Sequence, residues 1–165
     1  MKTLGLKTFV MLGAGVVSLA LASAAHAQAM RAPYGNAVTL EMAKKCVAAA
    51  EAESKKNNWN MAIAVIDSGG HLMAFERMDN TQLGSIRVAI DKARTANNFR
   101  RPSKAFEDAL AGGRQAILGL HGATPLEGGI PLVLDGKIIG AIGVSGELAG
   151  QDGQVAKACA DNIGK

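Results

Sequence analysis

Few side chains in this chain carry distinctive chemistry. Past residue 27 there are two histidines, His71 and His121, and two cysteines, Cys46 and Cys159. Two imidazoles are too few for a multi-histidine zinc centre. The absence of a Cys-x-x-Cys-His run excludes covalent attachment of a c-type haem. A single imidazole can still ligate the iron of a non-covalently held haem b, with apolar surface supplying the rest of the site. His121, in Leu120-His121-Gly122 beside a glycine-rich segment, is the first candidate for that metal, and His71, next to a turn, is the second. Each also reads as an ordinary polar surface residue. The cysteine pair has two readings as well, a disulfide or two buried thiols packing as small apolar groups. A charged set, Asp67, Arg77, Asp79 and Lys92, falls around one hairpin and the helix after it. Such sets usually form solvated ion pairs; alternatively Asp67, Arg77 and Lys92 surround a bound small anion.

Glycines recur at Gly128-Gly129, Gly140, Gly143 and Gly146. In strands they mark close packing, a bulge, or close approach of a ligand to the main chain. They fit no phosphate loop, since no strand-to-helix glycine run ends in Lys-Ser or Lys-Thr, and Gly143-Val144-Ser145-Gly146 lacks the dinucleotide spacing. Nor is this the Gly-x-Ser-x-Gly of a serine hydrolase, because glycine directly follows Ser145.

These residues need elements to hold them, and the first 27 residues are not among those elements. Lys2 and Lys7 precede an uncharged apolar run from Phe9 to Ala24, and Ala25-His26-Ala27 closes it, so residues 1-27 are expected to be a secretory signal. The expected product is periplasmic or secreted. The chain has 165 residues and a formal charge of +4, and removing Lys2 and Lys7 leaves +2, a balance that does not imply nucleic acid. Residues 28-37 read as a flexible leader, and 38-165 as one domain with no room for a second.

Within that domain, Leu40, Ala43, Val47 and Ala50 predict an amphipathic helix over 39-57 capped by Thr39. Met61 to Ile66 and His71 to Arg77 predict two strands around Asp67-Ser68-Gly69-Gly70. Helical spacing returns over 81-97 and, after Ser103, through Leu110. The segment 114-127 is open between strand and loop. Asp135-Gly136 predicts a tight hairpin between 130-134 and 137-144. Asp152 then stands in the first turn of a last helix, facing the positive end of its dipole. Two hairpins joined by helices predict an α+β domain, an antiparallel sheet of about five strands packed by helices.

Several of these segments together resemble the GlcG/HbpS family, whose domain also forms the C-terminal part of PduO-type corrinoid adenosyltransferases. The resemblance covers about 39-165. It rests on Ala64 to His71, Arg77-Met78-Asp79, Lys92 to Ala96, Gly128 to Pro131 with Asp135-Gly136, Gly140 to Gly146, and Gln151-Asp152. It implies a two-layer, profilin-like α/β domain that self-associates, with the terminal helices carrying Cys46 and Cys159 near each other. It further implies an exported haem- or tetrapyrrole-binding protein serving haem handling or sensing, with a membrane sensor as a potential partner. On that implication Arg77, Lys92 or Arg114 would pair with the haem propionates. The alternative is an enzyme or enzyme accessory acting on a small oxygenated metabolite.

Overall fold

The computed structural model describes residues 31-164. The expected signal, 1-27, lies outside them. Helix α1 (Leu40–Asn57) starts where expected: the Thr39 hydroxyl accepts from the Met42 N–H at 3.2 Å, and Asn58, in the left-handed conformation, ends the helix. There follow strands β1 (Ala62–Asp67) and β2 (Leu72–Arg77), helices α2 (Gly84–Phe99) and α3 (Lys104–Ala111), strands β3 (Gly129–Leu134) and β4 (Lys137–Ser145), and helix α4 (Ala149–Ala160). Asp135 and Gly136 both take positive φ, 49° and 72°, which closes the β3-β4 hairpin as the dipeptide predicts.

The sheet is antiparallel throughout, in the order β2-β1-β4-β3. The expected class, helices on an antiparallel sheet, is the one observed. It has four strands where about five were expected, because 114-127 forms a 3₁₀ turn at Gln115–Gly119 and then irregular loop. Gly119, Gly122 and Pro125 deny that segment the unbroken alternation a strand needs. The segment read as a loose leader is tied down from Pro33 onward. Ile138 N–H donates to the Pro33 carbonyl, Gly35 N–H to the Ile138 carbonyl, both at 2.8 Å, and the Tyr34 hydroxyl to the Asn97 carbonyl at 2.7 Å.

The period of two along β1 and β4 sends side chains to both faces, and both faces are buried. Ile63, Val65, Ile142 and Val144 point into the main core beneath α1 and α4, with Val47, Val155 and Cys159. Ala62, Ala64, Ile66 and Ala141 face α2, which meets them with Ala89, Ala93 and Ala96. Small residues on both sides let this helix lie close to the sheet. At Gly143 a Cβ would collide with the Ala89 carbonyl and the Ala93 amide, so the glycine cluster of β4 serves packing there.

On the other face α1 and α4 are cross-linked: Cys46 and Cys159 form a disulfide with Cα atoms 4.5 Å apart, closing a separation of 113 residues. In the chain-entropy model a loop of that size contributes up to about 5 kcal/mol. Denatured, unreduced protein is therefore expected to titrate no free thiol. Replacing both cysteines by alanine should lower the unfolding free energy by roughly 2–5 kcal/mol in denaturant titration. Two reactive thiols in the unreduced chain would contradict the bridge.

Candidate functional site

Helices α2 and α4 lie on opposite faces of the sheet, yet a charge pair joins them. Lys92 Nζ is 2.6 Å from Asp152 Oδ2, and each residue is only 2% exposed. The path runs past the start of β3, where two glycines leave room. A Cβ on Gly128 would stand 2.9 Å from the Asp152 Cβ and 3.0 Å from the Lys92 ammonium, and one on Gly129 would overlap the Lys92 carbonyl. Gly128 also has φ +124°, which suits glycine alone.

Asp152 Oδ1 accepts in addition from the Glu147 N–H at 3.2 Å. Burial pushes the Asp152 carboxyl above its ordinary value of 3.8, against the opposing pull of the Lys92 hydrogen bond and charge. A carboxyl with a raised folded-state pKa holds more protons in the folded chain than in the unfolded one. Its contribution to stability therefore declines as pH rises from 3.8 through the folded value.

This arrangement corrects the grouping expected around a bound anion. Lys92 is committed to Asp152, while Asp67 and Arg77 lie at opposite ends of the first hairpin, where Arg77 pairs with Ala62 and Asp67 flanks the turn. Only 2% of Lys92 is exposed, at the edge of a cleft it shares with Asp152. A signal for its partner is present in the sequence: Lys92 falls on the alanine stripe of α2, and a lysine on a buried stripe needs a counter-charge.

The two imidazoles fare differently. His71 sits on the β1-β2 turn with its side chain 82% exposed and Nδ1 3.4 Å from Asp67 Oδ1. His121 is exposed on the segment after the 3₁₀ turn, flanked by Leu118 and Leu120, which expose 67% and 38% of their surface. Both segments are held by the last turns of α2. Asn97 donates to the Ser68 carbonyl at 3.2 Å, and the Thr95 hydroxyl accepts from the Thr124 N–H at 2.8 Å. Along the outer face of α2 runs a cleft of about 400 Å³ bordered by Arg87, Arg94, Asn98 and Gly122, one residue from His121. Its two arginines carry no role in the sequence reading, since helical spacing alone marks them as solvated.

Arg77 ends the opposite edge strand, lining a different cleft with Glu51, Lys55 and Asp79. Arg114 opens the 3₁₀ turn. It adds positive charge near Arg101, whose guanidinium burial and two neighbouring arginines, Arg31 and Arg114, hold below its usual pKa. Among the described residues no three His, Cys, Asp or Glu side chains cluster as a metal site.

Comparison with known proteins places these features in a lineage. Residues 38-161 match the model of the family described as haem degrading protein HbpS-like. Protein GlcG of Escherichia coli (strain K12) is 47% identical over 105 residues, 64% of this chain and 78% of that protein. Among solved structures, that of HbpS superposes with a TM-score of 0.73 at 30% identity, over 79% of this chain and 93% of the other. A PduOC:heme complex superposes with a TM-score of 0.70 at 25% identity, over 78% and 97%.

The buried pair makes a direct prediction. Lys92→Met leaves the Asp152 carboxylate buried without a counter-charge and should cost about 3–5 kcal/mol in denaturant unfolding. Lys92→Met with Asp152→Leu removes both charges and should recover most of that loss. A single variant as stable as wild type would show that the pair does not hold α4 to α2.

Proposed function

The chain belongs to the haem degrading protein HbpS-like family, and from that premise we propose that it is an exported haem- or tetrapyrrole-binding protein that serves haem handling or sensing. The observation that carries the reading is the surface around His121. Haem offers two apolar faces, an iron that takes an imidazole, and two carboxylates. The segment 118-122 offers two exposed leucines, an exposed imidazole and glycines with open space around them, and the adjoining cleft offers the guanidinium groups of Arg87 and Arg94, which flank Asp91 and pair with it at 2.8 and 3.7 Å, so that a propionate would have to share them with that carboxylate. The residues present fit the group. His121 would ligate the iron, Leu118 and Leu120 would cover part of one face, and Arg87, Arg94 or Arg114 would take the propionates as charge-assisted pairs. Bound haem b would supply the iron chemistry, while the chain's own residues hold it and limit access of water.

Solved relatives support the ligand class, one being described as a heme complex. Export is supported by the apolar leader ending in Ala25-His26-Ala27 and by a disulfide, a bond that persists in oxidising compartments. Self-association is part of the same proposal. Both edge strands carry exposed apolar side chains, Leu72 on β2 and Val133 on β3, of the kind an assembly would cover. A membrane sensor would then be the partner of the assembled form.

Haemin titration tests the reading. Wild-type protein should saturate with a shifted Soret band. His121→Ala should move the band and weaken binding about tenfold or more, while Arg87→Ala with Arg94→Ala should weaken binding and leave the band in place. His71→Ala is expected to match wild type. No saturation in wild-type protein would remove the haem reading. Identical spectra in both histidine variants would remove imidazole ligation.

A further inference from the structure

Along the helices cations meet acids: Arg87 and Arg94 pair with Asp91, Lys104 with Asp108 and Lys157 with Asp161. Beyond the C-terminal end of α2 the pattern breaks. Arg31, Arg101 and Arg114 lie near one another there, and none of them pairs with a carboxylate among the described residues. Burial holds the Arg101 guanidinium below its usual 12.5, the charges of Arg31 and Arg114 add to that, and no acid opposes them.

The main chain puts each of them there and leaves its donors free. Arg101 follows α2, whose last carbonyls are already taken, that of Ala96 by the Arg100 and Arg101 amides and that of Asn97 by the Arg100 amide and the Tyr34 hydroxyl. The Arg101 guanidinium lies 4.1 Å from the centre of the Phe106 ring on α3, and its Nε–H is buried with no acceptor. The ring attracts the charge without supplying an oxygen for the N–H donors. Arg31 precedes the segment that Tyr34 pins across the end of α2. Arg114 follows the reversal at Gly113, φ 90°, with its amide on the Ala109 carbonyl at 2.9 Å. The acids of α3 are engaged elsewhere, Asp108 with Lys104 at 2.9 Å and Glu107 with the Glu127 N–H. A buried donor without an acceptor and like charges held together both cost free energy, and a bound oxyanion would relieve both.

We propose that Arg31, Arg101 and Arg114 form a site for a phosphoryl group, either the free ion or a phosphomonoester. Such a group carries a charge of about −1.5 to −2 at neutral pH and three strong acceptor oxygens. Three guanidinium groups without counter-ions match both counts, and the guanidinium fork suits phosphate oxygens taken two at a time. A monocarboxylate brings one charge and two oxygens, too few for three arginines. Arg114 alone is also named for a haem propionate. Arg31 and Arg101 have no part in the surface around His121, so the site stands whether or not haem binds there.

The test is a titration of haem-free protein with phosphate, methyl phosphate and acetate, at an ionic strength held constant with chloride, read by arginine Nε–H chemical shifts and by Tm. Phosphate and methyl phosphate should move the Arg101 Nε–H resonance saturably and raise Tm, because a ligand that binds only the folded chain stabilises it by mass action. Acetate should bind at least about tenfold more weakly, having fewer charges and oxygens to offer. Tighter binding of phosphate assigns the site to the free ion, and tighter binding of methyl phosphate assigns it to a phosphomonoester. Phosphate also stabilises proteins by exclusion from their surface, so the variants decide. Arg31→Gln with Arg114→Gln should weaken phosphate binding more than about tenfold, yet unfold in chloride at or above the wild-type temperature because the repulsion on Arg101 is gone. Arg101→Lys keeps the charge but not the fork and should bind with intermediate affinity. His121→Ala should bind phosphate as wild type does. The proposal is overturned if no saturable shift appears, if acetate binds as tightly as phosphate, or if phosphate raises Tm equally in the double variant. A double variant less stable than wild type in chloride would also overturn it, since the arginines would then be holding the fold together.

Discussion

A single ammonium-carboxylate contact, Lys92 on Asp152, sets where both helical layers can sit relative to the sheet. One charge comes from α2 and the other from α4, on opposite faces, so the pair can close only if the edge of the sheet is open between them. That opening is Gly128-Gly129, and its cost is visible in the backbone: Gly128 takes a φ of +124°. Removing two charges from water is expensive, and the raised pKa of Asp152 shows that attraction does not fully offset the desolvation. What the contact provides is position. A hydrophobic pair would hold the layers together as well but would tolerate sliding, whereas a hydrogen bond of 2.6 Å between buried charges does not.

The same demand for close approach explains the composition of the central strands. Ala62, Ala64, Ala141 and Gly143 on the sheet meet Ala89, Ala93 and Ala96 on α2. With alanine and glycine filling most of the seam, the helix axis is drawn toward the strands and the Lys92 backbone comes against Gly129. Only from there can a lysine reach Asp152. The outer face of α2 in turn carries Arg87 and Arg94 around Asp91 beside the loop that bears His121.

How much of this could be read in the sequence depends on the range of the interaction. Local chemistry was legible: the Thr39 cap, the Asp135-Gly136 turn and the two strands before and after it lie within a few residues of their causes. The segment 114-127 was not, because its conformation is held by side chains far off in the sequence. Thr95 binds Thr124, and Ser103 binds the carbonyl of Leu126 and the amide of Gly129. Lys92 and Asp152 were each visible, the first as a site candidate and the second as a helix-dipole partner. Their pairing was not, since a separation of 60 residues leaves no periodic trace. The grouping of Lys92 with Asp67 and Arg77 failed for a related reason. Neighbourhood along a hairpin is not neighbourhood in space when the strands are six residues long and the charges sit at opposite ends.

Helix α4 shows what the two long-range constraints do together. It has only 12 residues, too few to persist alone in water, and it is fixed at both ends, by Asp152 in its first turn and by Cys159 in its last. The two fixings respond to different conditions. A reducing environment opens the link to α1 and leaves the charge pair, so the C-terminal turn of α4 would loosen while the contact between Lys92 and Asp152 stays formed. Acid acts at the other end, where protonation of Asp152 removes the charge of the pair, relieves the cost of burying it, and leaves the disulfide intact. Because the α2-α4 contact rests on the first fixing and the α1-α4 packing on the second, the N-terminal end of α4 does not depend on the redox state that governs its C-terminal end.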